Sequence, residues 1–546
     1  MRELRLLKGS QIDQNSSKEQ AKKTKLNARD RIRVKLILNA NEKDHPDIPR
    51  NLNYAERHAM FSQHTGVDDQ HLEFIRKFAK EFRLDIESVN KDLGVVNLSG
   101  TTAAMEKAFK VELFSHEVER ERKMQVHAFQ GHTGEASVPK ELEGIIKSVI
   151  GLNNTIVNHQ APMLMKSTSY AISAASGLSS DWFARHYHFP EKFDGTGQQI
   201  AIISCGGGFK EAEFLKYFKM IGIRKPPVIE TVSVDGTENS PGINPIADYE
   251  LYTDCLVAAS AAPGATIRIY FVRNDVMGFA DAVEKIASEG ENSPHIVSYS
   301  WGASETTYSQ STIDGVNQIL QYATQVNHIS IFCSTGDFGS TNSMQSTDKT
   351  PIAVQFPASS PWVTSCGGTM LMKNNAGRFH KEVVWNSTFL YDVLITNASG
   401  GGFSITNTRP DYQKRAIPGK AYPRKFAHSR GIPDVAGHAN VTPNSVAYWI
   451  LLNNANWLTG GTSAVAPLWA ALTARLNQAL NKRIGFFNPM LYDMADTPAL
   501  KDITEGNNIM PKGPQFWEAK SGWDPCTGLG IPHGENMLKW LKKNFK

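Results

Sequence analysis

The strongest nucleophile signal in this 546-residue chain is a serine set between two glycines and a long apolar repeat. The run reads Leu458–Thr459–Gly460–Gly461–Thr462–Ser463–Ala464–Val465–Ala466–Pro467. Leu468, Leu472, Leu476 and Leu480 then recur every four residues, which predicts a helix with Ser463 in its first turn. The glycines let the backbone turn tightly into that helix. Unpaired N–H groups of a first helical turn favour negative charge beside them. An acylating serine needs that setting, with an exposed Oγ and donors for a developing oxyanion. Pro467 is tolerable only near a helix start, so it constrains the geometry. A helix cap at Thr462 or Ser463 would use the same residues, and the motif alone does not separate the two.

A serine nucleophile requires a base. Glu250 and Asp254 stand four residues apart in an Ala-rich helical segment, so they share one face. Leu251, Cys255, Ala258 and Ala262 mark the apolar face beside them. Carboxylates in such a helix are costly unless something uses them. Held close, they titrate as a pair with one proton shared over part of the pH range. Glu250 could take the serine proton while Asp254 orients it; a solvated acidic face is the alternative. Asp337, in Ser334–Thr335–Gly336–Asp337–Phe338–Gly339, is the third acid. Ionised, it would repel an oxyanion; protonated, it could donate to one. Its alternative is an Asx-type turn. Histidine is a poor base near pH 4, where a carboxylate still works, so this assembly implies acid catalysis.

The elements that must position these residues follow a strand–helix alternation. Strands are predicted at 199–203, 227–234, 266–271, 295–300 and 329–333, with helices at 211–220, 250–261, 278–288 and 311–326. That order indicates a parallel sheet flanked by helices, with its crevice at the carboxyl ends of the strands. Ser204, Trp301 and Asp337 fall at such ends. Ser179–Ser180–Asp181 caps the first helix of this part. The preceding residues 31–152 read as a separate α+β sandwich. It has strands at 33–38, 95–98 and 111–114, a helix capped by Asp68 or Asp69 carrying Leu72, Ile75, Phe78 and Phe82, a helix from Thr102 to Phe109, and a helix over 141–150. It gathers no catalytic residue types and suits a folding or inhibitory module. His132–Thr133–Gly134 reads as a turn. Residues 1–30 look basic and disordered, and 153–177 a polar linker.

Composition is that of an ordinary soluble globular protein, and a net charge of +4 over this length asks for no acidic partner, nucleic acid included. No apolar run is long enough to span a membrane, and the N-terminus lacks the apolar stretch of a signal peptide. Cys205, Cys255, Cys333, Cys366 and Cys526 are odd in number and widely spaced, which predicts buried thiols rather than a disulfide framework. Cys205–Gly206–Gly207–Gly208 lacks the spacing and the Lys-Ser/Thr of a phosphate loop.

Taken together, the motifs resemble the sedolisin (serine-carboxyl peptidase) family, its kumamolisin-like members in particular. The resemblance is carried by Gly460–Pro467, by Glu250 and Asp254 followed by Ala262–Pro263–Gly264–Ala265, and by Ser300–Trp301–Gly302. Ser334–Thr335–Gly336–Asp337 and Arg430–Gly431–Ile432–Pro433–Asp434–Val435–Ala436 extend it from about 178 to the C-terminus. Glu73–Phe74–Ile75–Arg76–Lys77–Phe78 resembles the family's propeptide. The resemblance implies an α/β, subtilisin-like catalytic domain with a mainly parallel sheet over 178–546, preceded by a ferredoxin-like prodomain over 31–152. It implies Ser463 as nucleophile, Glu250 as base, Asp254 as its partner and Asp337 as oxyanion-stabilising acid. Trp301 is implied as an aromatic substrate-binding residue near the carboxylates. The implied activity is acid endopeptidase action on proteins or peptides, by a secreted, monomeric zymogen that its own propeptide inhibits and that cuts itself between about 160 and 178. A tripeptidyl exopeptidase and a catalytically silent binding homologue are the alternatives; the intact reactive positions weigh against the latter.

Two details depart from or extend the pattern. Kumamolisin-like enzymes carry a glutamate after the first catalytic-domain strand, where this chain has Ser204, a hydroxyl that cannot titrate in the acid range. Asp502–Gly506 and Gly522–Pro525 resemble the family's calcium loops. They imply one structural Ca2+ held by Asp502 and Asp524 side chains and by carbonyls of Ile503, Lys520 and Gly522. Lys520 replaces a family glycine, so its ammonium must point away. Gln355 is neutral, so its segment asks for no basic substrate.

Overall fold

In a computed structural model of the chain, the residues described are 4–11, 22–39, 48–49, 51–65, 67–118, 127–154, 165–166, 177–343, 349–374, 378–387, 397–419, 422–441 and 445–545. They form two compact units. One comprises Met1–Val157, Asn274–Glu291 and Thr306–Val326; the other comprises Asn158–Arg273, Asn292–Glu305 and Asn327–Lys546.

The first unit is built on β1 (Arg31–Leu38), α1 (Asp69–Phe82), β2 (Asp85–Asn90), β3 (Val95–Thr101), α2 (Thr102–Phe109) and β4 (Ile146–Ile150). The sheet order is β2–β3–β1–β4, all antiparallel, which is the ferredoxin-like βαββαβ arrangement. Asp68 caps α1 by accepting from His71 N, and Leu72, Ile75 and Phe78 bury the predicted face. The helix expected over 141–150 is instead a short turn and β4. Gly144, at φ +76°, breaks the chain there, and β-branched Ile146, Val149 and Ile150 pair with β1. Within 1–30, the expected disorder does not hold for two segments: Leu4–Leu6 pairs with Ser137–Pro139, and Lys22–Lys25 with the strand Glu112–Val118. His132 and Thr133 are the last two residues of the strand His127–Thr133, and the chain bends at Gly134.

Two helices from mid-sequence, Val276–Ala287 and Gln310–Gln325, belong to this unit. Lys35, wholly buried in β1, accounts for one attachment. Its ammonium meets Asp281 at 2.8 Å, pairs with Glu284, and donates to Asn97 at 2.9 Å. Removing one side of such a cluster strands the others in a poorly solvated interior.

The second unit is organised on β5 (Gln199–Cys205), β6 (Ile229–Ser233), α3 (Pro245–Ala261), β7 (Thr266–Val272), β8 (Ile296–Tyr299) and β9 (Ser330–Ser334). It continues through β10 (Thr364–Lys373), β11 (Phe379–Val384), β12 (Val435–His438) and α4 (Thr462–Leu480). The order is β6–β7–β5–β8–β9–β10–β11, with β12 beside β10; every pair is parallel except β10–β11. Parallel strands buried on both faces need apolar runs such as Ile200–Ile203, all fully buried here. Both α3 and α4 pack on this sheet and on each other. All five cysteines are buried and none is in a disulfide. Among the described residues no helix is long and apolar enough to cross a membrane. Most of 153–177, with the expected cut region, lies outside the described residues.

Candidate active site

The start of α4 is set by close packing rather than by a cap. Gly461 has φ +84°, and a Cβ on it would stand 2.5 Å from Asp337 Oδ2, so only glycine admits that acid. Gly461 makes no side-chain capping bond, and Thr462 turns its hydroxyl away from the helix. Thr462 donates from both N and Oγ1 to Asp337 Oδ1, each at 2.8 Å, while its Oγ1 accepts from Gly336 N at 3.1 Å. The capping alternative is therefore not what the sequence achieves. Instead Thr462 ties the nucleophile's helix to the loop after β9.

Asp337 is 1% exposed. Burial pushes its carboxyl up to about 6, against the two Thr462 donors that favour the ionised form. Because Oδ1 already accepts two hydrogen bonds, the proton of the neutral acid belongs on Oδ2.

The acidic pair has no solvated face. Every residue from Ala247 to Ala261 is buried, so Glu250 and Asp254 project from a helix enclosed on all sides. The helix starts at Pro245, with Asn244 Oδ1 accepting from Ala247 N at 3.3 Å. Burial pushes Glu250 well up, the Asp254 charge pushes it further, a hydrogen bond with Ser463 draws it back, and Asp337 adds a smaller upward push. Asp254 is also driven well up by burial, opposed by the Ser300 hydroxyl at 2.6 Å. The three acids and Ser463 thus form one buried, interacting group.

A small cavity opens on this group, lined by Ser463, Thr462, Asp337, Gly336, Ser300 and Gln355, among others. Trp301, expected to contact substrate, does not line it. Its neighbours Ser300 and Gly302 do, while Trp301 itself is 2% exposed. The chain leaves β8 extended, so alternate residues face opposite ways. Gly302 is required by closeness: a Cβ there would lie 2.0 Å from Gln355 Nε2. The sequence gives Ser300 only as the first residue of the Ser300–Trp301–Gly302 motif and Gln355 only as a neutral residue, with no catalytic role for either; the fold brings both to the cavity beside Ser463.

Ser204 lies within β5 rather than after it, and its hydroxyl donates to Gly206 O at 2.8 Å. At the C-terminal end, the two acidic loops do meet. Asp502 Oδ2 accepts from Gly522 N at 2.8 Å, and its buried Oδ1 has no hydrogen-bond partner. Asp524 is fully buried, with Oδ1 accepting from Cys526 N at 2.8 Å and Thr527 N at 3.0 Å. Burial raises both carboxyls, and the Asp502 charge adds to the rise at Asp524. The Lys520 ammonium sits 3.7 Å from the centre of the Tyr422 ring. The orphaned Asp502 Oδ1, on a carboxylate whose charge disfavours ionised Asp524, fits a bound cation.

Known proteins agree with this architecture. Residues 22–155 match the Pro-kumamolisin activation domain family. Kumamolisin of Bacillus sp. (strain MN-32) is 37% identical over 501 residues, spanning 89% of this chain and 86% of that protein. Sedolisin of Pseudomonas sp. (strain 101) is 25% identical over 509 residues, spanning 90% of this chain and 82% of the relative. The solved structure of Pseudomonas sedolisin covers 68% of this chain and 100% of its own, with a TM-score of 0.59 at 22% identity, a likeness of fold. On these grounds the chain belongs to the sedolisin family of serine-carboxyl peptidases, as a kumamolisin-like member carrying its own propeptide domain.

Proposed function

We propose that the protein is an acid-acting endopeptidase in which Ser463 is the nucleophile, Glu250 the general base, Asp254 its partner and Asp337 the oxyanion acid. The observation that carries this reading is the buried Ser463–Glu250–Asp254 group with Asp337 held against the start of α4 by Thr462. Ser463 Oγ attacks the scissile carbonyl as its proton passes to Glu250. The developing oxyanion accepts hydrogen bonds from the Ser463 backbone N–H in the first turn of α4 and from the Asp337 carboxyl. Glu250 then returns the proton to the leaving amine, and a water activated by Glu250 releases the acyl group. Glu250 must be ionised while Asp337 is protonated, a combination confined to acid pH. Intact mass after incubation at about pH 4 and pH 7.5, for wild type and Ser463→Ala, tests the reading. Loss of the N-terminal segment only in wild type and only at acid pH supports it, with the cut between about 160 and 178. Tripeptidyl action, the alternative, is separated by whether internal bonds of long peptides are cut. The reading includes a monomeric, secreted enzyme.

Asp502 and Asp524, with carbonyls of Ile503, Lys520 and Gly522, would hold one structural Ca2+; the ion would supply positive charge that offsets the buried Asp524 and the half-buried Asp502 carboxylates. Removing it with EDTA is expected to lower Tm by about 3–5 °C, the order for losing a ligand present at about 100 times its Kd in a domain of this size. Asp502→Asn should show the low Tm with or without calcium; a wild-type Tm indifferent to EDTA and to added calcium would remove the ion from the reading.

Ser204 bears on the pH range. Its hydroxyl is committed to Gly206 O and carries no titrating proton. Ser204→Glu adds a buried acid at the end of β5 and is expected to shift the limbs of the kcat/KM–pH profile by about one unit. An unchanged profile in the folded variant counts against a role for this position in setting the proton distribution.

A further inference from the structure

Pro467 stands four residues after Ser463 in α4 and has no N–H, so the Ser463 carbonyl lacks its α-helical donor. The hydroxyl that approaches that carbonyl is Ser300 Oγ, at 3.3 Å. The same Oγ lies 2.6 Å from Asp254 Oδ1. Ser300 is 7% exposed, and its position is dictated by the end of β8. A serine hydroxyl has one proton to donate and two lone pairs with which to accept. It cannot donate to both oxygens at once.

Building on the reading above, we propose that Ser300 is a positioning residue whose single hydroxyl proton switches between Asp254 and the Ser463 carbonyl according to whether Asp254 is ionised. With Asp254 ionised, Ser300 donates to its carboxylate, a short charge-assisted bond. With Asp254 protonated, the carboxyl donates to Ser300 Oγ, and Ser300 donates to Ser463 O. The carbonyl then regains the donor that Pro467 denies it, which anchors the residue that supplies both the nucleophile and a backbone donor. The acid paired with Asp254 is Glu250, one turn earlier on α3, and Asp337 acts on Glu250; the neighbouring Cys255 thiol is pushed well up by burial and by Asp254, so it stays neutral in the acid range. Burial drives the Asp254 carboxyl up, and the Ser300 hydroxyl is the hydrogen-bond donor that opposes that rise.

The test is the pH dependence of kcat and KM on an internally quenched peptide, for matured wild type, Ser300→Ala and Ser300→Thr, with Tm as a folding control. Losing the hydroxyl removes a donor to ionised Asp254, which makes that carboxyl easier to protonate. The acid limb of kcat in Ser300→Ala is therefore expected to move up by about one pH unit, with kcat near the optimum down about tenfold and KM within about twofold. Ser300→Thr, which keeps the hydroxyl, should return the limb to its wild-type position. A uniform fall in kcat at every pH with an unmoved limb overturns the proposal. If Ser300→Ala does not accumulate as folded protein, Ser300→Cys replaces it; its weak donor should move the limb by a smaller amount, and an unmoved limb again overturns the proposal. Wild-type activity that survives Ser463→Ala overturns the catalytic reading and this inference together. An unmoved limb in an active variant overturns this inference alone.

Discussion

Ser463→Ala is expected to lower kcat by about 10^6-fold and to leave the chain full length at pH 4, where wild type is expected to shorten itself. The size follows from the absence of a substitute. Thr462, the neighbouring hydroxyl, accepts from Gly336 N and donates to Asp337 Oδ1, so its oxygen is committed on both sides. The variant has a second signature. The Ser463 hydrogen bond draws Glu250 down toward the ordinary carboxylate range, against burial and against the Asp254 charge. Without it the pair holds its shared proton more tightly, so the variant should bind more protons than wild type in the acid range, measurable by potentiometric titration. Self-processing by the folded alanine variant at the wild-type rate, in protein free of other proteases, would refute the assignment of Ser463.

The sequence is a good guide here where chemistry demands a residue type, and a poor one where packing decides. Gly461 beside Thr462–Ser463, and the four-residue spacing of Glu250 and Asp254, are constraints a reader can reason from: backbone room and a shared helical face. What they leave open is burial. The same Glu250 and Asp254 spacing suits a solvated helix, and only the neighbours that enclose Ala247–Ala261 turn it into a titrating pair. Residues 141–150 mislead because apolar positions spaced three or four apart, as in Leu142–Ile145–Ile146–Val149–Ile150, satisfy a helical period. Gly144 and pairing with β1 override that period. Trp301 shows a related point: motif adjacency gives the neighbourhood, but the alternation of an extended chain decides which of Ser300, Trp301 and Gly302 meets the cavity. Ser300 carries no signal of its own. Its two partners, Asp254 and Ser463, are 46 and 163 residues away along the chain.

Asp337→Asn separates the two roles of that carboxyl, acceptor and proton donor. The asparagine Oδ1 can still accept both Thr462 bonds, and its NH2 stands where the acid proton belongs, but it donates at every pH. With a carboxyl raised to about 6, the protonated fraction of Asp337 should fall about tenfold for each pH unit above that, and in the proposed role the ionised form would repel the oxyanion. The expected result is a kcat–pH profile whose decline near pH 6 disappears in Asp337→Asn. Asp337→Ala, which has no donor and strands the Thr462 N–H and hydroxyl, should lose about 10^2–10^3 in kcat at every pH. Stability gives an independent reading with a definite sign. A carboxyl whose folded-state value is about 6, against 3.8 when free, binds its proton more tightly in the native state. The native fold therefore loses stability as pH rises from 3.8 to 6, by about 3 kcal/mol for this group, and no further above that. Asp337→Asn should flatten that part of the stability–pH curve, since nothing at the position then titrates. Retention in Asp337→Asn of both the kinetic decline near pH 6 and the stability slope would assign them to another group and leave Asp337 a structural tie between the loop after β9 and the start of α4.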